Sequence, residues 1–231
     1  MAPDTYVIVT AHNEADRIGA TLAALASAFP GAPVFLADDG STDATPETAL
    51  LAGAGVVRSE RVIGKGGAAT MAARNALSHA RIEAGEEQEA VFILCDADLG
   101  GSARELPALA EAIRRGDADI AVAAFSARVG GGFGLARGFA RWAVERRCGL
   151  HTTAPISGQR ALRSSVLEDV LPFAHGFGME VGMTIDAVRA GHRLVEVELD
   201  LSHRATRRTP AGFVHRAGQL VDSLRAYLAR R

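Results

Sequence analysis

Short apolar runs that alternate with helix-patterned stretches constrain this chain most, because that rhythm belongs to a mostly parallel sheet covered by helices. Tyr6 to Thr10, Val34 to Ala37, Val91 to Cys95 and Asp119 to Phe125 read as strands. Val56 to Arg58 is a weaker one, and Arg193 to Leu201 alternates apolar and acidic residues like a half-buried one. Helices are expected over Glu14 to Phe29 with Asn13 as N-cap, from Thr45-Pro46 onward, and over Gly66 to Arg81. Further helices should run from a Ser102/Glu105 capping box to Arg115, over Leu135 to Arg147, over Gly178 to Ala190 with Gly191 as the stop, and over Phe213 to Leu228. Gly130 to Gly134 reads as a mobile loop. With no internal repeat and no interdomain linker, the expectation is one α/β domain over 1–231, its C-terminal helix at 212–229 an appendage.

Composition removes several function classes. Lysine and arginine (25) nearly balance aspartate and glutamate (27), so the basic excess of a nucleic-acid binder is missing. Two cysteines, Cys95 at the end of an apolar run, do not make a disulfide framework. No signal peptide is visible and no apolar run nears the roughly 20 residues that span a bilayer, so a cytoplasmic protein is expected, with membrane contact at the inner face peripheral at most. One local imbalance stands out: beyond Leu201, Arg204, Arg207, Arg208, Arg216, Arg225, Arg230 and Arg231 face only Asp222, which suits a phosphate-bearing ligand or a solvated helix face.

Ligands of open α/β sheets bind at the C-terminal ends of strands, and three polar clusters fall there: Thr10 to Glu14, Asp38 to Asp43, and Asp96 to Asp98. Asp38 or Asp39 can accept hydrogen bonds from a base N–H and ribose hydroxyls. If the chain bends after Cys95, Asp96 and Asp98 can face one hard cation, which in turn binds a diphosphate and stabilises charge on a leaving nucleotide. Each cluster alone also makes ordinary turn and capping chemistry. Lys65 is the only lysine of the chain and lies between Gly64 and Gly66, where backbone can approach a phosphate and a compact charge is at hand. Gly64-x-Gly66-x-x-Ala69 loosely fits a dinucleotide fingerprint, but its preceding strand is poor.

The order of six segments carries a resemblance: Val9 to Glu14, Ala37 to Asp43, Gly64 to Ala68, Cys95 to Asp98, Ser157-Gly158-Gln159-Arg160-Ala161-Leu162, and Gly176 to Val181. Over about the first 205 residues the chain resembles the family 2 glycosyltransferases of GT-A type, especially the polyprenyl-phosphate and dolichyl-phosphate sugar transferases. The resemblance implies a GT-A nucleotide-binding fold and a nucleotide-sugar donor, UDP-glucose or similar. It implies that Thr10, Ala11, Asn13, Glu14, Asp38, Asp39 and Lys65 hold the donor with Asp96 and Ala97, and that Asp96 and Asp98 handle Mg²⁺ or Mn²⁺ and the diphosphate. His203 is a further candidate metal ligand, or a structural histidine.

On the acceptor side, Ser157, Gly158, Arg160 and Arg204 are candidates for binding a lipid-phosphate or small-molecule acceptor, and Arg160, Arg204, Arg207 and Arg208 for holding its phosphate through forked hydrogen bonds, or, for Arg207 and Arg208, as solvated arginines. Glu180, with Asp98, is the catalytic candidate, as base or as positioning group; in a first helical turn it equally complements the helix dipole. The sequence departs from the lipid-phosphate branch where Thr153-Ala154-Pro155-Ile156 replaces an expected acidic residue before Ser157. The alternatives are a retaining transferase with a soluble glucosyl product, a nucleotidyltransferase, and a non-catalytic nucleotide-sugar sensor. A nucleotidyltransferase would open with a Gly-rich basic loop, which Thr10 to Glu14 is not.

Overall fold

The computed structural model describes residues 4–85, 88–125, 135–201 and 210–230, with backbone alone at 84 and 210–217. The expected loop at Gly130 to Gly134 and the candidates His203 and Arg204 lie outside the described residues. Seven strands form one sheet: β1 (Thr5–Ala11), β2 (Val34–Asp38), β3 (Gly55–Arg58), β4 (Val91–Asp96), β5 (Ile120–Phe125), β6 (Arg160–Arg163) and β7 (Leu194–Leu199). Their spatial order is β3-β2-β1-β4-β6-β5-β7. All run parallel except β6, which pairs antiparallel with β4 and β5. The mostly parallel α/β architecture expected from the sequence is therefore present.

The helices are α1 (Ala15–Ala28), α2 (Thr45–Leu51), α3 (Lys65–Ala84), α4 (Pro107–Arg114), α5 (Leu135–Cys148), α6 (Ser164–Asp169), α7 (Met179–Arg189) and α8 (Pro210–Ala229). They cover both faces of the sheet, which is why β1 is buried throughout and β4 up to Asp96 rather than alternating. Val7, Val9 and Ile93 face a core with Ile18, Leu22 and Leu25 of α1 and Leu109 and Ile113 of α4. Tyr6, Ile8, Phe92 and Leu94 face another with α3 and α7. Burying each such Val or Ile side chain contributes about 1.5–3 kcal/mol. The alanines of α3 (Ala69, Ala72, Ala73, Ala76) are wholly buried, and their small size lets this helix lie close on β1 and β2.

Three local expectations need correction. Asn13 does not cap α1: it adopts φ 56°, Glu14 takes the N-cap position without a cap bond from its side chain, and Asp43 Oδ2 accepts the Ala15 amide at 3.2 Å instead. Ser102 and Glu105 form no capping box, because Gly100–Glu105 is a 3₁₀ segment and α4 starts only at Pro107. Ser102 Oγ instead donates to the Leu99 carbonyl at 2.7 Å. Finally β6 and α6 lie where no element was expected. β6 is four residues with arginine at both ends, too short for a periodic signal, and its place is set by pairing with β4 and β5.

Candidate functional site

Parallel pairing brings the ends of β1, β2 and β4 to one edge, with Ala11 beside Asp38 and Thr10 beside Asp96. Because β6 runs the other way, its first residue reaches the same edge, Arg160 pairing with Leu94. The loop after β1 is sewn to the loop after β2. The Asn13 amide donates to Ser41 Oγ (3.0 Å), the Thr42 amide to Asn13 Oδ1 (2.8 Å) and the Glu14 amide to Thr45 Oγ1 (2.8 Å). His12 Nδ1 lies 2.8 Å from the Asp39 carbonyl oxygen. Asp38 is fully buried; its Oδ1 accepts the Ser41 amide at 3.1 Å, and Arg58 Nε lies 3.3 Å from Oδ2. Asp39 reaches across to the start of α3: Oδ1 accepts the Ile63 amide at 2.7 Å, and the Gly64 amide lies 3.1 and 3.0 Å from the two oxygens.

That contact sets Lys65 at the first position of α3, where a cation opposes the helix dipole unless it is paired. It is paired twice. Lys65 Nζ lies 2.6 Å from Asp96 Oδ1 and 2.8 Å from Glu180 Oε1, with the lysine side chain 19% and the glutamate side chain 5% exposed. Asp96 also accepts from Thr10 Oγ1 (2.9 Å) and Gln159 Nε2 (2.8 Å). Burial alone would raise the Asp96 carboxyl, but the Lys65 ammonium and these donors hold it below the usual carboxylate range. Burial opposes charge on Lys65 too, yet Asp96 and Glu180 outweigh it and raise the ammonium above its ordinary value. Gly158 lies over this pair: a Cβ there would stand 2.6 Å from Asp96 Oδ2 and 2.7 Å from Lys65 Nζ.

The turn carrying Asp98 is pinned from behind. Buried Thr21 donates its hydroxyl to the Ala97 carbonyl (2.7 Å) and accepts the Gly100 amide (2.8 Å), while the Ala97 amide donates to the Thr10 carbonyl (3.0 Å). Asp98 itself is half-buried. Two carboxylates in such a turn suit a hard divalent cation. Among the described residues no three His, Cys, Asp or Glu side chains form a ready cation cage. Asp96 Oδ1 already meets Lys65 and Thr10, which leaves Oδ2, held by Gln159, as the oxygen with a lone pair for a cation.

Arg160 is only 1% exposed, which rules out a solvated surface role. Its Nε donates to the Ser157 carbonyl (2.9 Å) and Nη1 to Thr184 Oγ1 (3.0 Å), whereas buried Nη2 has no hydrogen-bond partner. Burial lowers the guanidinium pKa to about 10 against the pull of Glu180 and Glu196, so it stays charged at neutral pH. Ser157 is buried as well, its Oγ 3.4 Å from Gln159 Oε1. The acid-free loop before Ser157 is gripped by Glu196 of β7. Oε1 accepts the Thr152 hydroxyl and the Thr153 and Ala154 amides (2.9 and 3.0 Å), and Oε2 accepts Thr153 Oγ1 at 2.5 Å. Burial raises this carboxyl, but the hydrogen bonds bring it below the ordinary glutamate value. Thr21, Thr184 and Glu196 carried no sequence signal, since each acts on a partner remote in the chain, and Gln159 lay within a matching segment without an assigned role.

The model of Glycosyl transferase family 2 matches residues 6–171, well over half of the chain. An undecaprenyl-phosphate mannosyltransferase of Micrococcus luteus is 31% identical over 213 residues, covering 85% of this chain and 83% of the relative. Among solved structures, glucosyl-3-phosphoglycerate synthase from Mycobacterium tuberculosis in complex with phosphoglyceric acid superposes with TM-score 0.73 at 23% identity, covering 99% of this chain and 81% of that one. The same enzyme with Mn²⁺, uridine diphosphate and glucosyl-3-phosphoglycerate gives TM-score 0.70 at 24% identity, again over 99% and 81%. These two likenesses concern the fold.

Proposed function

Because this chain belongs to glycosyl transferase family 2, it is a glycosyltransferase, and we propose that it passes a hexose from a UDP- or GDP-linked donor to a phosphate-bearing acceptor. The fold is of the GT-A type expected from the sequence. One observation carries the reading: three loops that are far apart in sequence close into one hydrogen-bonded rim. Asp39 holds the turn at Gly64, and the next residue, Lys65, holds Asp96 and Glu180.

In this reading Thr10 to Glu14 with Asp38 and Asp39 shape the nucleoside seat, mostly through loop geometry rather than open carboxylates. Lys65 is the charge next to the donor diphosphate and offsets negative charge as the nucleotide leaves. Asp98, with Asp96 and His203, would hold a divalent cation, whose chemistry is Lewis-acid stabilisation of that leaving group. Glu180 positions the acceptor, or takes its proton when the acceptor is a hydroxyl; an ionised phosphate needs no base. Ser157 and Gly158 border the acceptor, and buried Arg160 fixes them through the Ser157 carbonyl. Inversion at the anomeric carbon is the expected outcome.

The Micrococcus luteus relative is named for undecaprenyl phosphate, and the superposed structure is in complex with phosphoglyceric acid; a phosphate is common to both. Polyprenyl phosphate is the first acceptor to assay, at the inner face of a membrane. A retaining transfer to a soluble phosphate-bearing acid is the second reading. Calorimetry with UDP- and GDP-sugars, with and without Mn²⁺, followed by transfer assays with both acceptors, tests it. Metal-enhanced binding of one donor is expected, and Asp98→Ala should cut transfer about 10²–10³-fold, the cost of one lost charge-stabilising group. No metal-enhanced binding of any donor would overturn the reading.

A further inference from the structure

Ten large apolar side chains are exposed among the described residues, and five of them fall on two touching helices: Leu135 and Trp142 of α5, and Val221, Leu224 and Leu228 of α8. The helices meet at Tyr227, whose ring lies 5.1 Å from that of Trp142 and 6.2 Å from that of Phe139. Leu135 and Trp142 are two turns apart on one side of α5, and Val221, Leu224 and Leu228 share the side of α8 that borders Tyr227. The two rows thus flank the Trp142–Tyr227 contact as one apolar face of the α5–α8 pair. Monomeric surfaces seldom gather their exposed apolar residues in this way without a partner.

Charge decides which partner. The chain as a whole carries −2, yet α5 holds four arginines against the single Glu145. Arg141 and Arg146 are exposed beside Trp142, Arg147 stacks 3.8 Å over the Tyr227 ring, and on α8 Asp222 is paired with Arg225 at 3.2 Å. A two-fold contact between copies would bring the arginine-rich flanks of two α5 helices together, with Glu145 the one acid of each helix to answer them. A bilayer with anionic headgroups offers both a hydrocarbon boundary for the apolar face and negative charge for its flanks. No described helix is long and apolar enough to cross a membrane, so the contact lies in the plane of the surface.

We propose that the α5–α8 face is a peripheral docking surface for an anionic lipid bilayer. This face shares no residue with the donor rim, so the proposal stands or falls apart from the transfer reaction. Trp142 is the only tryptophan of the chain and reports on its own burial. The full chain is mixed, without donor or acceptor, with vesicles of phosphatidylcholine alone or mixed with phosphatidylglycerol, and followed by co-sedimentation and Trp142 emission. Anionic vesicles should bind about tenfold or more tightly than neutral ones, with a blue shift and with affinity falling as salt rises. Leu224→Glu/Leu228→Glu should lose most of that binding while melting and donor affinity stay as in the parent. Should this variant melt early, Arg141→Gln/Arg146→Gln carries the test, with loss of the anionic preference expected. Neutral and anionic vesicles bound alike, an unshifted Trp142, an arginine variant with undiminished preference, or a vesicle-free dimer that buries Trp142 would each overturn the proposal.

Discussion

On the β1–β2–β3 side of the rim, carboxylates are answered mainly by backbone amides, with Arg58 beside Asp38; on the β4–β6–β7 side, charges are answered by other charges and by groups from remote segments. Asp38 bonds the amide three residues on, and Asp39 and Asn13 reach partners 24 to 29 positions away through successive parallel crossovers. Lys65 meets Glu180 across 115 positions, and Gln159 meets Asp96 across 63. A loop built on its own amides is specified by its own residues. A buried charge is specified only once the whole sheet has closed. The first side should thus tolerate single changes locally, and the second should fail as a unit.

The sharpest way to break that contrast is at the seam where the two sides touch. A Cβ on Gly66 would overlap the Ala174 carbonyl oxygen, a backbone atom that cannot rotate away, whereas one on Gly101 meets nothing within 4 Å. Gly66→Ala should therefore cost about 3 kcal/mol or more, and Gly101→Ala stay within about 0.5 kcal/mol, in urea unfolding. Equal midpoints would mean that the seam yields and the halves are not rigidly coupled.

Lys65→Met comes next. It leaves Asp96 and Glu180 facing each other with no ammonium between them, and losing one partner of a buried pair costs about 3–5 kcal/mol. Asp96 is 32% exposed and can turn to water, so a loss of about 2–3 kcal/mol is the outcome to look for. Arg17→Met, which removes a partner of half-exposed Glu14, should cost less than about 1 kcal/mol. Adding Glu180→Gln to Lys65→Met should recover part of the loss. Additive losses in that cycle would show that the three groups do not act together.

The same contrast explains what the sequence disclosed. The strands that end in Thr10, Asp38 and Asp96 announce themselves by apolar runs, and their polar ends by turn residues, so the meeting of these loops at one edge was legible. β6 was not, because a four-residue strand flanked by arginines has no period and is fixed only by its neighbours. Arg160 was picked out, but its burial was not visible, since nothing in Ser157 to Leu162 shows that β4 and β5 enclose it. Glu196 looked like one acidic position among others on an alternating strand, and its partners lie more than 40 residues earlier. Asn13 failed in the opposite sense: its composition suits a cap, but the loop after β2 offered its side chain a better use.

The smallest effects bear on which loop serves which substrate. Thr21→Val unpairs the Gly100 amide behind the Asp98 turn, and Glu196→Gln removes the charge that grips residues 152–154; each should cost about 1–2 kcal/mol at neutral pH. Their kinetics should differ, Thr21→Val raising the donor KM and Glu196→Gln the acceptor KM. Only the glutamate variant should alter the acid limb of stability. The folded carboxyl titrates below its ordinary value near 4.5, so in that window the unfolded chain binds more protons and stability rises with pH. The stabilisation from Glu196 is whole above the ordinary value and disappears as pH falls through the folded one. Parent and Glu196→Gln protein should therefore differ at neutral pH and converge in acid, while the Thr21→Val gap stays level. A Glu196→Gln gap that does not close in acid, or one that moves the donor KM as much as the acceptor KM, would show that the grip is packing rather than charge and that the two sides of the rim are not divided as their hydrogen bonds imply.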